Sequence, residues 1–202
     1  AGSAEIGWMF AAYVNENHPM LDKVLQEALG TKIVNAFLGY QRDDPAEVVR
    51  QVFAIWSALQ KRGIQYSSTT TTPGGSEEVY SQYVRFLDQS ITNTQANCVD
   101  GSVLFASILR KISIQPFLVT IPGHMYMGFY LTPDKKDFVG LETFFGGAEN
   151  FVNPVASQRG CLLLQIFFGI LFKLRSEVVQ LRRVAESISC GISSIRNPID
   201  MQ

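Results

Sequence analysis

The sequence predicts an α+β fold, with helices packed on a small antiparallel sheet, and three observations carry that expectation. Apolar residues recur at helical spacing through much of the first 112 positions. Between residues 116 and 144 the pattern shifts to short apolar and aromatic runs bounded by proline and turn formers, the signature of strands. Helical spacing then returns after residue 161, so the elements come in blocks (helices, strands, helix) and do not alternate.

Pro19 followed by Met20/Leu21, Val24/Leu25 and Ala28, then Gly30, describes a short amphipathic helix, with His18 as a residue of its start. Asp44-Pro45-Ala46-Glu47 is a stronger start. Asp44 can cap, Pro45 fits the first turn, and Glu47 stands three residues after the cap as in a capping box. The stripe Val48/Val49, Val52/Phe53, Trp56, Leu59 runs from there to Arg62-Gly63, where glycine ends the helix. Residues 67–75 hold only turn formers and read as a loop. Val79/Tyr80, Tyr83/Val84, Leu87 and Ile91 keep helical spacing, and residues 93–97 form a polar link. Asn97 is a good cap with Asp100 three residues on, and Leu104/Phe105, Ile108/Leu109 and Ile112 complete the next stripe. Strands are expected over 116–122, 124–132 and 138–144, the last two joined tightly through Pro133-Asp134-Lys135-Lys136 and therefore antiparallel. One long or broken helix is expected over 161–189. Its most apolar part, Cys161 to Phe172, is too short for a membrane span and reads as a core helix.

At 202 residues the chain can bury one core without disulfides or metals. Hydrophobic residues reach 47% and charged ones only 17%, against about 25% in ordinary domains, which excludes a disordered chain. A net charge of −1 and the lack of any basic run leave no electrostatic footprint for nucleic acid. Cys98, Cys161 and Cys190 form neither a disulfide framework nor a metal pattern, and with two histidines and no glycine-rich phosphate loop no metal or cofactor is expected. Lacking any linker, residues 1–202 read as a single domain. It has a helical N-terminal part (1–92), a helix and sheet (93–145), and a C-terminal helical part (146–202). The chain opens on Ala1-Gly2-Ser3 with no initiator methionine, as expected after removal of a leader, and its compartment is not legible.

One constellation stands above background. Cys98 falls in the first turn of a helix, His124 opens a strand, and Glu142 lies on the next strand. A helix N-terminus offers unpaired N–H groups and positive potential to a thiolate. An imidazole can take the thiol proton and return it to a leaving group. A carboxylate on the other ring nitrogen fixes the tautomer, and the Cys98 N–H is placed to bind an oxyanion. Gln95 could donate to that oxyanion from the link or be solvated, and Asn97 is foremost a cap. Glu142, acidic within an apolar strand, needs a partner: His124, Arg110 and Lys111 are the candidates. His124 could instead bond only to backbone, and the charge of Asp100 would oppose a thiolate at Cys98. A register condition follows. If Thr132 faces Asp137, Glu142 and His124 fall on opposite sides of the sheet. If Leu131 faces Asp137, Glu142 stands opposite Tyr126, with His124 its diagonal neighbour on the same face. The triad thus requires an odd-length turn.

The stretch Asn97-Cys98-Val99-Asp100-Gly101-Ser102-Val103-Leu104-Phe105-Ala106, with Gly123-His124-Met125 and Gly140-Leu141-Glu142-Thr143, resembles the bacterial transglutaminase-like superfamily of cysteine enzymes over about residues 85–145. That resemblance implies a papain-type core with the cysteine on a helix and the histidine and acid on adjacent strands. It further implies amide chemistry on a peptide or protein substrate through a thioester: hydrolysis, deamidation or acyl transfer. Two positions depart from the pattern. Glu142 stands where the family usually has Asp and reaches one methylene further, and Val99 replaces the aromatic residue often found after the nucleophile. The rival expectation is a catalytically inactive binding module that recognises a peptide or protein partner, with residues 69–75 and 146–150 as the rim of a groove.

Overall fold

A computed structural model describes residues 7–67, 83–121, 124–143 and 199–200. A 3-10 helix (Gly7–Tyr13) leads into α1 (Met20–Gly30) and α2 (Pro45–Lys61). Next come β1 (Gln65–Tyr66), α3 (Leu87–Thr92), β2 (Gln95–Ala96) and α4 (Cys98–Lys111). Strands β3 (Pro116–Ile121), β4 (His124–Tyr130), β5 (Phe138–Leu141) and β6 (Ile199–Asp200) complete it. The main sheet has the order β5-β4-β3-β6 with every pair antiparallel, and β1 and β2 form a separate parallel pair. The mixture of helices with a small antiparallel sheet is the α+β arrangement the sequence pattern predicts.

Helix α4 is the centre of the molecule. Every residue from Val99 to Leu109 is buried, as expected of a helix covered on all sides. Its Phe105 ring lies 6.0 Å from that of Trp56 on α2, and Leu21, Val24 and Ala28 of α1 join the same core. The sheet covers the other flank. Met125, Met127 and Phe129 of β4 belong to this helix-side core, whereas Tyr126 and Tyr130 pack with Phe117 and Val119 on the opposite face. This is the period-two alternation of a strand buried on both sides.

Several local expectations hold, and others are corrected. Asp44 caps α2 by accepting from Ala46 N at 2.9 Å, but Glu47 turns outward to Arg50 and does not reach back to the cap. Gly63 after α2 has φ +77°, the left-handed value that favours glycine. His18 serves the start of α1, its Nδ1 accepting from Met20 N at 3.3 Å. Of the helix expected from residue 79, residues 79–82 lie outside the described residues, 83–86 are not helical, and α3 begins at Leu87: Phe86 is extended (ψ 156°) and the backbone N–H of Arg85 donates to Asp100 at 2.8 Å. The link 93–97 contains β2, which the sequence pattern does not suggest. The helix expected over 161–189 and the rims 69–75 and 146–150 lie outside the described residues. Among the described residues no helix is long and apolar enough to cross a membrane.

The first turn of α4 is pressed onto the residues that follow β5. A methyl group on Gly101 would come within 2.8 Å of Thr143 Oγ1 and 3.2 Å of its carbonyl. Alanine is ordinarily the better helix former by roughly 1 kcal/mol, while overpacking costs about 1–3 kcal/mol. Gly101→Ala is therefore expected to lower the urea midpoint of unfolding despite its helix propensity. A raised midpoint would show that the helix does not approach Thr143 so closely.

Candidate active site

Cys98 is the first residue of α4, half-buried and a free thiol. Its position is fixed by the capping that the sequence announces. Asn97 Oδ1 accepts from Val99 N at 2.9 Å and Asp100 N at 2.8 Å, and Gly101 N donates to Asn97 O at 2.9 Å. Asp100 reaches back to accept from Asn97 N at 3.1 Å, closing a capping box with aspartate in the usual place of glutamate. These bonds satisfy three of the four N–H groups that a helix start leaves open. The fourth belongs to Cys98, and among the described residues it has no acceptor. An N–H left open beside the cysteine is one donor of the kind an oxyanion accepts from.

Asp100 itself is held by a residue that sequence reasoning missed. Its carboxylate is fully buried and pairs with Arg85, whose Nη1 donates at 2.6 Å while the Arg85 backbone N–H donates at 2.8 Å to the other oxygen. The guanidinium thus compensates the charge that would otherwise oppose a thiolate at Cys98. The segment running into α3 carries no local signal for this pairing, because the partner stands on another helix.

The β4–β5 register meets the condition set by the triad. Leu131 N donates to Asp137 O at 2.8 Å across a five-residue turn, Thr132 to Lys136, and Met127 pairs with Leu141, Gly128 with Gly140 and Tyr130 with Phe138. One step further Glu142 stands opposite Tyr126, diagonal to His124. Their side chains meet there, with His124 Nε2 and Glu142 Oε2 2.9 Å apart. Arg110 and Lys111 are engaged elsewhere, with Glu16 and Asp22. With Glu142 accepting at Nε2, the neutral ring carries its proton there and leaves the Nδ1 lone pair exposed as a base. Among the described residues Nδ1 makes no hydrogen bond, to the thiol or to any other group. Catalytic hydrogen bonds commonly tighten only when substrate arrives.

His124 and Glu142 share the sheet face of Tyr126, opposite the face whose Met125, Met127 and Leu141 pack with the helices. Ser102 Oγ donates to the Cys98 carbonyl at 2.7 Å and lies 3.4 Å from Thr143 Oγ1, so one helical turn separates Cys98 from the residue next to Glu142. Two phenols complete the surroundings. Tyr126 lies against the His124 ring, with centroids 6.5 Å apart. Burial raises its pKa and the Glu142 charge raises it further. Tyr66 is raised in the same way, by burial first and then by Cys98 and Glu142. The second carboxylate oxygen, Glu142 Oε1, is buried and among the described residues has no hydrogen-bond partner. Gln95 pairs with Gln65 and is exposed, because the alternation of β2 turns Ala96 inward. Among the described residues no group of three metal-binding side chains occurs.

Removing one member of a buried ion pair leaves an uncompensated charge and costs about 3–5 kcal/mol, whereas replacing both members costs much less. Arg85→Met is expected to lower stability by that amount. The double variant Arg85→Met/Asp100→Asn should lose less than the two single variants together, measured by urea unfolding of all four proteins. Simple additivity would show that the pair does not act as a unit.

No protein-family model matches the chain, and no curated protein and no solved structure matches it.

Proposed function

We propose that the chain is a cysteine-dependent amide hydrolase or acyl transferase. It acts on a carboxamide of a peptide or protein through a Cys98-His124-Glu142 triad, within a core of the papain and transglutaminase-like type. The observation that supports this most strongly is the His124–Glu142 pair at 2.9 Å, which directs Nδ1 away from the carboxylate at the end of the sheet where α4 begins. A histidine oriented by an acid, together with a half-buried thiol at a helix start, supplies the groups that nucleophilic acyl chemistry requires.

In the proposed reaction His124 Nδ1 takes the thiol proton as the Cys98 sulfur adds to the carbonyl carbon. The carbonyl oxygen becomes an oxyanion and accepts from the Cys98 N–H. When the tetrahedral species collapses, the C–N bond breaks, and His124 returns its proton to the leaving ammonia or amine. A thioester on Cys98 remains. Water then releases an acid, or a second amine takes the acyl group, with His124 acting again as base. Glu142 stabilises the imidazolium between these steps. The reaction needs no group beyond the chain and its substrates.

The test is alkylation by iodoacetamide, mapped by mass spectrometry, with Cys161 and Cys190 as internal controls. Cys98 is expected to react fastest, Cys98→Ala to remove that site alone, and His124→Ala to slow it by roughly a hundredfold, the lower end of what a positioned base contributes. Equal labelling of all three thiols, indifferent to His124, would favour an inactive module that binds a peptide or protein partner.

A further inference from the structure

We infer that Tyr66 is a catalytic residue of the candidate site, its phenol O–H donating to the oxyanion that forms when the Cys98 sulfur adds to a carbonyl carbon. The inference rests on the thiol-enzyme reading above and extends it to a residue from another part of the chain.

The geometry comes from the smallest sheet in the fold. Strands β1 and β2 are two residues each, held by Gln65 N donating to Thr94 O at 2.9 Å and Ser67 N to Ala96 O at 3.0 Å. Their register sets Tyr66 opposite Ala96, two residues before Cys98. Paired residues of a ladder project to the same face. Gln65 and Gln95 are both exposed and Ala96 is buried, so Tyr66 turns inward with Ala96, toward the start of α4.

Two further observations agree with this placement. Burial is the larger cause of the phenol's raised pKa, and Cys98 and Glu142 raise it further. A phenol in such surroundings keeps its proton at neutral pH and is a hydrogen-bond donor. A second donor would also complete the site. The Cys98 N–H supplies one, and oxyanion sites commonly combine two or more. Gln95, the other candidate from sequence, faces solvent on β2.

Two reagents separate this role from its alternatives. p-Nitrophenyl acetate acylates Cys98 through an oxyanion. The S–C bond forms, the C–O bond to nitrophenolate breaks, the thiol proton passes to His124, and water later cleaves the thioester to acetate. Iodoacetamide alkylates the same sulfur by displacing iodide at a saturated carbon, with no oxyanion. Tyr66→Phe is expected to slow nitrophenolate release about a hundredfold, the usual loss on deleting one oxyanion donor, while alkylation changes by less than about threefold. The urea midpoint reports that the variant is folded. Unchanged release, or an equal fall in both rates, would overturn the role. Failure of the underlying reading looks different: wild-type Cys98 would then show neither fast alkylation nor acylation, and the assignment of Tyr66 would fall with it.

Discussion

The turn between β4 and β5 decides on which face of the sheet Glu142 emerges. Side chains alternate along a strand, so slipping the register by a single residue would carry the carboxylate to the far side from His124. Five residues, Thr132 to Lys136, connect the paired ends at Leu131 and Asp137. Within the turn Asp134 gathers the loop: Thr132 Oγ1 donates to it at 2.6 Å, and Lys136 pairs with it at 2.6 Å. Those partners hold the Asp134 carboxyl down to about 2. Lys135 takes the left-handed conformation at φ 58° that lets the chain reverse. The apolar alternation locks the result, because Met127 and Leu141 can face the helices only in this register.

The second constraint is the fixed start of α4. The cysteine stands at the first helical position because Asn97 and Asp100 cap each other, and Arg85 anchors Asp100 from outside the helix. The close approach at Gly101 and Thr143 then sets that start against the end of β5. The register thus sets the face of the acid and the cap sets where the helix of the thiol begins, and the two devices share no residue.

How much of this could be read in advance depended on whether the cause was local. The cap of α4, the start of α2 and the strands around residues 116–141 follow from side chains a few positions apart, and the parity of the β4–β5 turn follows from alternation alone. The elements the sequence concealed are those fixed by distant partners. Residues 83–86 leave the predicted helical path where Arg85 bonds to Asp100, fifteen residues away. Strands β1 and β2 have two residues each, too few to display a period, and pair across about thirty positions. Tyr66 accordingly carries no signal in the sequence, whereas Gln95, nearer to Cys98 along the chain, faces solvent. Glu142 was ambiguous among His124, Arg110 and Lys111 until the two cations were found paired with Asp22 and Glu16 on the helical side.

The central claim is that the Cys98 sulfur and the free nitrogen of His124 share one cleft. Dibromoacetone tests it directly, since after alkylating a thiol its second carbon can capture only a nucleophile a few bonds away. Treatment followed by proteolysis and mass spectrometry is expected to yield one cross-linked pair, Cys98 joined to His124. Cys98 modified at one end only, or joined to a different residue, would contradict the account.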